Sequence, residues 1–161
     1  MVAILRLVHI VVGGFWAGAA ILLGWIITPT AREIGPAAAP LIQGLIRRRL
    51  TAILLGSGAV TVLAGIWLWA LRPPTFQIWQ GYALATGALA AVVALLVGFS
   101  FQRPTTHKIK DLGAAIATAG GPPTAEQGAE MARLQGRMAG YANILAYLFA
   151  IALAGMALSG A

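Results

Sequence analysis

Four long apolar stretches constrain this chain more than any other feature of its sequence. They lie near residues 7–27, 50–71, 82–101 and 138–159. Each contains about twenty residues, and a helix of that length rises about 30 Å, the thickness of the hydrocarbon core of a bilayer. All four carboxylates lie between the stretches: Glu33, Asp111, Glu126 and Glu130. The sequence therefore predicts an all-α, four-transmembrane-helix bundle, with residues 1–161 forming a single integral membrane domain.

The basic residues predict how this bundle is oriented. With four spans, both chain ends and the second connection face one side, where only Arg6 and Arg72 are found. The other nine of the eleven Lys and Arg residues lie in the first and third connections: Arg32, Arg47, Arg48, Arg49, Arg103, Lys108, Lys110, Arg133 and Arg137. Short cytoplasmic loops carry an excess of such cations. We therefore expect an N-out/C-out protein in the cytoplasmic (inner) membrane of a bacterium-like cell.

The composition excludes several classes of function. The net charge is +7, but the cations flank apolar spans and are not grouped with base-reading or base-stacking residues, so we expect no nucleic acid partner. The chain has no cysteine, which excludes disulfides and thiolate metal sites. It also contains no nucleophile–base pair, phosphate-binding loop or zinc-ligand spacing. The evident partner is the lipid bilayer, and enzymatic activity is not expected.

The third connection has the pattern of a helical hairpin over residues 104–137. Gly120–Pro123 predicts a turn, and Thr124 with Gln127 has the spacing of a capping box that begins a helix of about 36 residues. Before the turn, apolar residues repeat on one face, suited to packing on Met131 and Leu134; they are Ile109, Leu112 and Ile116. We expect the third and fourth helices to extend into the cytoplasm as this hairpin, with a kink or break at Pro104.

The first connection is predicted to be partly helical. Gly35 and Pro36 should end the first helix. Pro40 suits the first turn of another helix, which we expect to continue into the second span.

Small residues recur at helical spacing in the spans and predict close helix packing. The first span has the G-x-x-x-G pair Gly14 and Gly18, beside a second row: His9, Gly13, Ala20 and Gly24. The third and fourth spans carry similar rows: Ala83, Gly87, Ala91, Ala94 and Gly98, then Ala142, Ala146, Ala150, Ala154 and Ala157. Such rows indicate a tight bundle and suit association with other membrane subunits or with a second copy. The alternative is that the glycines make room for a flat cofactor.

Two ionisable side chains lie at or within the apolar stretches, Arg6 and His9. An ionisable group at membrane depth is a candidate functional residue. His9 is interpreted in three ways: a neutral, hydrogen-bonded structural residue, a metal ligand to a tetrapyrrole, or a proton-transfer or quinone-binding group. In the second, Gly13 leaves space beneath the ring, and Arg6 or Arg72 is available to a propionate. Met156 is the candidate second ligand, because His107 lies at the opposite end of the bundle.

The first 35 residues also resemble known membrane protein families. The pattern consists of Leu7, His9, Gly13, Trp16, Gly18, Pro29 and Arg32. It resembles small bacterial membrane proteins of the copper-resistance D-like group and their uncharacterised four-helix relatives. It is also similar to the HemJ type of protoporphyrinogen oxidase, in which a helix-one histidine is followed seven residues later by tryptophan. The resemblance implies that His9 is a haem ligand.

Two hypotheses of function follow. In the first, the protein binds a tetrapyrrole such as haem b through His9 and has a redox role. In the second, it is a non-catalytic accessory or scaffold subunit of a larger membrane complex, with the hairpin as a docking surface.

Overall fold

The computed structural model describes residues 1–71, 73 and 79–160, except for the side chain of Pro36. Helices make up 93% of these residues, and no strand occurs among them. Four continuous helical runs are long and apolar enough to cross a membrane. For the described residues, the predicted all-α fold is therefore confirmed, with four helices whose length and composition suit membrane spans. Arg72, Thr75 and Phe76 of the second connection lie outside the described residues.

The second and fourth runs are single helices, the first and third each contain a π-helical turn, and a 3-10 turn and a short helix lie between the first two runs. The elements are α1 (Val2–Leu22), a π-helical turn (Leu23–Ile27), α2 (Thr28–Ile34), a 3-10 turn (Gly35–Ala38), α3 (Ala39–Arg47), α4 (Leu50–Leu71), α5 (Trp79–Val97), a second π-helical turn (Gly98–Gln102), α6 (Arg103–Ala119) and α7 (Ala125–Leu158). The first span thus belongs to a 33-residue run and the third to a 41-residue run. The latter is about 60 Å long, about twice the hydrocarbon thickness, so part of it must extend beyond the membrane core.

The break considered at Pro104 does not occur, because a π-helical turn carries the helix through the proline. Proline lacks an N–H and clashes with the carbonyl four residues earlier. Directly before Pro104, the Arg103 N–H bonds to the Gly98 carbonyl, five residues back. The wider turn accommodates the ring. The same solution appears at Pro29, where the Thr28 N–H bonds to the Leu23 carbonyl.

The same local structure recurs in the first and the third run. In both the first and the third run, the π-helical turn is followed by one residue and then by proline. The segments that follow, Pro29–Ile34 and Pro104–Ile109, both read Pro-Thr-x-basic-x-Ile when histidine is counted as basic. The first and third runs therefore share a local structure and a short sequence pattern at this place.

The first connection matches the sequence prediction in part. α2 ends at Gly35, whose φ of 69° is a left-handed value that glycine tolerates, and Pro40 lies in the first turn of α3. However, α3 does not continue into the second span. Arg49 has a φ of 56°, outside the helical region, and this residue separates α3 from α4. The expected continuous helix was therefore wrong.

α6 and α7 are joined by a turn and pack on each other as a helical hairpin, while its cytoplasmic location stays a prediction. Gly120 ends α6 in the left-handed conformation, and Thr124 caps α7 through the reciprocal hydrogen bonds of a capping box with Gln127. Leu134 of α7 is 2% exposed. The Thr106 hydroxyl of α6 lies 3.9 Å from the Met138 sulfur of α7. The two helices therefore pack together as predicted.

Within the bundle, α1 packs chiefly on α4 and α7, and α5 packs chiefly on α7. Glycines bring these helices into backbone contact. A Cβ at Gly24 would overlap the Ala142 carbonyl, and one at Gly155 would lie 2.5 Å from the Ala83 carbonyl oxygen. By contrast, a Cβ at Gly14 would meet nothing within 4 Å, and the same is true of Gly18. The G-x-x-x-G pair thus faces away from the bundle, and the second row of small residues makes the contacts.

Candidate functional site

His9 joins the first span to the second. Its Nδ1 lies 2.9 Å from the backbone carbonyl oxygen of Thr61 on α4. Because a carbonyl can only accept, the imidazole must donate from Nδ1. The Thr61 hydroxyl in turn donates to the Ser57 carbonyl at 2.8 Å. A polar connection between α1 and α4 is thereby completed inside the predicted membrane span.

Two glycines give this connection its shape. At Gly65, directly beside the imidazole, a Cβ would lie 2.9 Å from the His9 Cε1 atom. At Gly13, a Cβ would lie 2.9 Å from the Thr61 methyl group. The space that the sequence suggested for a macrocycle at Gly13 is therefore filled by Thr61. Both glycines allow α1 and α4 to approach closely around the His9–Thr61 hydrogen bond.

The hydrogen bond also determines what His9 can do chemically. With its proton on Nδ1, the neutral ring has an available lone pair on Nε2. Metal-binding histidines commonly donate one ring N–H to a backbone carbonyl in this way, which fixes the tautomer and orientation of the ring. His9 is half-buried. Its Nε2 is therefore able to accept a proton or a hydrogen bond, or to bind a metal.

The other predicted site residues are not gathered around His9. Arg6 is exposed near the start of α1. Met156 is half-buried on α7, and its backbone packs near Gly87 of α5, whereas His9 packs on α4. His107 is exposed on α6. No group of three or more His, Cys, Asp or Glu residues suited to a metal ion occurs in the described ranges.

The packing around Trp16 at the centre of the bundle was not predicted. Trp16 is 5% exposed and lies edge-to-face with Phe149, their ring centroids 4.5 Å apart. Beside Trp16 is a cavity of about 30 Å³, whose lining includes Leu23 and Gly98 from the two π-helical turns and the amide side chain of Gln102. That volume suits one water molecule. Pro29 and Pro104, which follow the two π-helical turns, were the sequence signal available for this region of the bundle.

We expect His9→Phe to weaken the contact between α1 and α4. The substitution removes the hydrogen bond to Thr61 and places a larger ring against Gly65. Polar contacts between membrane helices contribute about 0.6–2 kcal/mol, and we expect a loss of that size in the free energy of unfolding. Reversible unfolding by SDS in mixed micelles measures it. His107→Phe, at an exposed position on α6, is the matched control and should change little; equal losses in the two variants would contradict the assigned role of His9.

No known protein family matches this chain, and neither a curated protein nor a solved structure is detectably similar to it. The resemblance of the first helix to the copper-resistance D-like and HemJ groups stays a prediction. Function is therefore inferred from the side chains and surfaces described above.

Proposed function

We propose that this protein is a non-catalytic accessory subunit of a larger membrane complex, and that it binds its partner through the α6–α7 hairpin. The observation that supports this proposal is the length and the regular helical structure of the hairpin. α6 contributes 17 residues beyond the second π-helical turn, equivalent to about 25 Å of helix. A chain that needed only to cross the bilayer would not require so much helix outside it.

Packing and capping interactions hold the two helices of the hairpin in place. Its inner face is held by Leu134 and its turn by the Thr124 cap. On its outer face, Arg133 donates to Glu130 at 2.6 and 2.7 Å. The hydrogen bonds from Arg133 lower the pKa of Glu130 below its ordinary value. Ordered, charged surface of this kind suits recognition of another protein in water.

Site-specific photocrosslinking in cells tests the proposal. A photoreactive residue at Ala115, exposed on α6, should give a discrete adduct with another protein. The control is Leu63, which is 66% exposed on α4 and faces lipid in the proposed orientation. Co-purification of the same partner in mild detergent should accompany the adduct. A protein that purifies alone, with no adduct from any exposed position on the hairpin, would contradict the proposed function.

The orientation belongs to this proposal, with the hairpin in the cytoplasm and both termini outside. The excess of basic residues at the hairpin end supports it. The cysteine-free chain allows a direct test by single-cysteine labelling. An impermeant thiol reagent should modify Thr75→Cys in intact cells, and Gly121→Cys only after permeabilisation. The reverse pattern would overturn the orientation and place the docking surface outside the cell.

Tetrapyrrole binding at His9 is the second candidate function. The hydrogen bond from Nδ1 to the Thr61 carbonyl favours it. This bond fixes the orientation of the imidazole and leaves the Nε2 lone pair available to a metal. The packing of Thr61 on Gly13 and of His9 on Gly65 leaves no slot for a macrocycle between α1 and α4. A haem held by His9 would therefore lie outside the α1–α4 contact, and its iron would supply redox chemistry.

An absorption spectrum of protein expressed with ample haem tests this candidate. A Soret band that is lost in His9→Ala and retained in His107→Ala would support His9 as the ligand. A protein without a Soret band under these conditions would remove haem from consideration and leave His9 in its structural role.

A further inference from the structure

One face of α7 is exposed on the outside of the bundle, although it carries residues suited to a helix contact. We call it the α7 outer face and define it by four exposed residues at helical spacing: Gly136, Gly140, Asn143 and Ala154. Tyr147 lies at the edge of this face and packs edge-to-face on Trp25 of the first run. A Cβ at Gly136 or Gly140 would meet nothing within 4 Å. Glycines at the contacts inside the bundle are instead closed off by neighbouring backbone, as Gly155 is by Ala83 and Gly87. The open glycines therefore mark a surface that the monomer does not use.

Asn143 is the decisive residue of this face. It lies six residues past Arg137, which places it about 9 Å along the helix into the apolar span. Its side chain is exposed and makes no hydrogen bond with the described part of the chain. Thr86 in the third span differs, because its hydroxyl donates to the Tyr82 carbonyl of its own helix at 2.9 Å. An amide facing hydrocarbon without a partner is costly, and such side chains promote association of membrane helices.

We propose that the α7 outer face binds the same face of a second copy of this chain, with the two Asn143 amides hydrogen-bonded to each other. A carboxamide carries both donors and an acceptor, so it is complementary to itself. In a two-fold symmetric pair each residue near the axis meets its own equivalent, which satisfies both amides at once. Gly140, one turn away, allows the two backbones to approach closely. This inference is independent of the hairpin proposal, since it concerns a surface inside the bilayer.

Energy transfer between donor- and acceptor-labelled full-length protein in phosphatidylcholine liposomes tests the proposal. The wild-type protein should associate as its density in the membrane rises. Asn143→Leu should raise the dissociation constant about tenfold through the loss of the amide pair. Gly140→Ile should weaken association at least as much by blocking close approach, whereas Asn143→Gln should retain most of it. Because the liposomes contain only this chain, the result does not depend on any partner of the hairpin.

Gly14→Ile is the matched control, because Gly14 is also an open glycine, on a different span. It should leave association unchanged. If Gly14→Ile weakens association while Asn143→Leu and Gly140→Ile do not, the interface lies elsewhere and the proposal is overturned. A protein that stays monomeric at every density overturns it as well. Helical circular dichroism and gel filtration check that each variant is folded.

Cysteine crosslinking provides a measurement that keeps Asn143 intact. The chain has no native cysteine, so Ala154→Cys introduces a single thiol on the α7 outer face. Mild oxidation in native membranes should give a disulfide-linked dimer. Leu89→Cys, at a position that is 65% exposed on α5, should not. Equal crosslinking of the two variants, or an adduct of Ala154→Cys with a different protein only, would overturn the proposal.

Discussion

Gly155→Leu is expected to lower the free energy of unfolding by about 3 kcal/mol, at the upper end of the range for overpacked cores. A Cβ at Gly155 would lie 2.5 Å from the Ala83 carbonyl oxygen and 2.8 Å from the Gly87 Cα. Both atoms belong to the backbone of α5, which cannot rotate away as a side chain can. The larger residue must therefore separate α5 from α7, two helices that pack closely along the bundle.

Reversible unfolding by SDS in mixed micelles measures this loss. Gly56→Leu is the control, because Gly56 is an exposed glycine within α4 and its added Cβ would meet nothing within 4 Å. It should change the free energy of unfolding by less than about 0.5 kcal/mol. If the two variants lose stability equally, the α5–α7 contact at Gly155 is not what holds these helices together.

Much of the fold could be predicted because local signals determine it. The apolar stretches specify the spans, and the α7 start at Thr124 follows from a capping box whose two partners are only three residues apart. The π-helical turns were not predicted. Proline indicates that a helix must adjust, but whether it breaks, kinks or widens depends on how neighbouring spans hold the following residues.

The packing surfaces were harder to predict than the helices. Two glycine rows on the first span appeared equivalent in sequence, yet only the row containing Gly13 and Gly24 contacts the bundle. Residues facing lipid and residues facing other helices are equally apolar, so hydropathy cannot distinguish the two faces of a membrane helix. In a soluble helix, the polar face would have settled the choice.

The candidate site, too, could be predicted only in part. His9 was identified from sequence because it is an ionisable residue inside an apolar span. Its partners Thr61 and Gly65 could not be identified, since they depend on the register between α1 and α4, more than fifty residues apart in the chain. The imidazole lies close to Gly65, and Thr61 fills the space at Gly13. These two glycines therefore serve helix packing and leave no room for a cofactor between α1 and α4.

Trp16→Ala is expected to lower the free energy of unfolding by about 3 kcal/mol. The Trp16 indole lies against Gly58 of α4, where a Cβ would be 2.5 Å from its Cζ2 atom, and edge-to-face with Phe149 of α7. Because the unfolded helices are also surrounded by lipid, the expected loss comes from packing and not from transfer out of water. The vacated volume adjoins the cavity of about 30 Å³ beside the ring and would enlarge it.

Trp67→Ala is the matched control, since Trp67 on α4 is 58% exposed, compared with 5% for Trp16. Its removal should cost less than about 1 kcal/mol, because little packing against other helices is lost. Trp16→Phe should recover part of the loss, since a smaller ring can still contact Phe149 while leaving space over Gly58. SDS unfolding should therefore rank the variants with Trp67→Ala most stable, then Trp16→Phe, then Trp16→Ala. Equal stability of the two alanine variants would mean that the contacts of Trp16 with α4 and α7 do not stabilise the bundle.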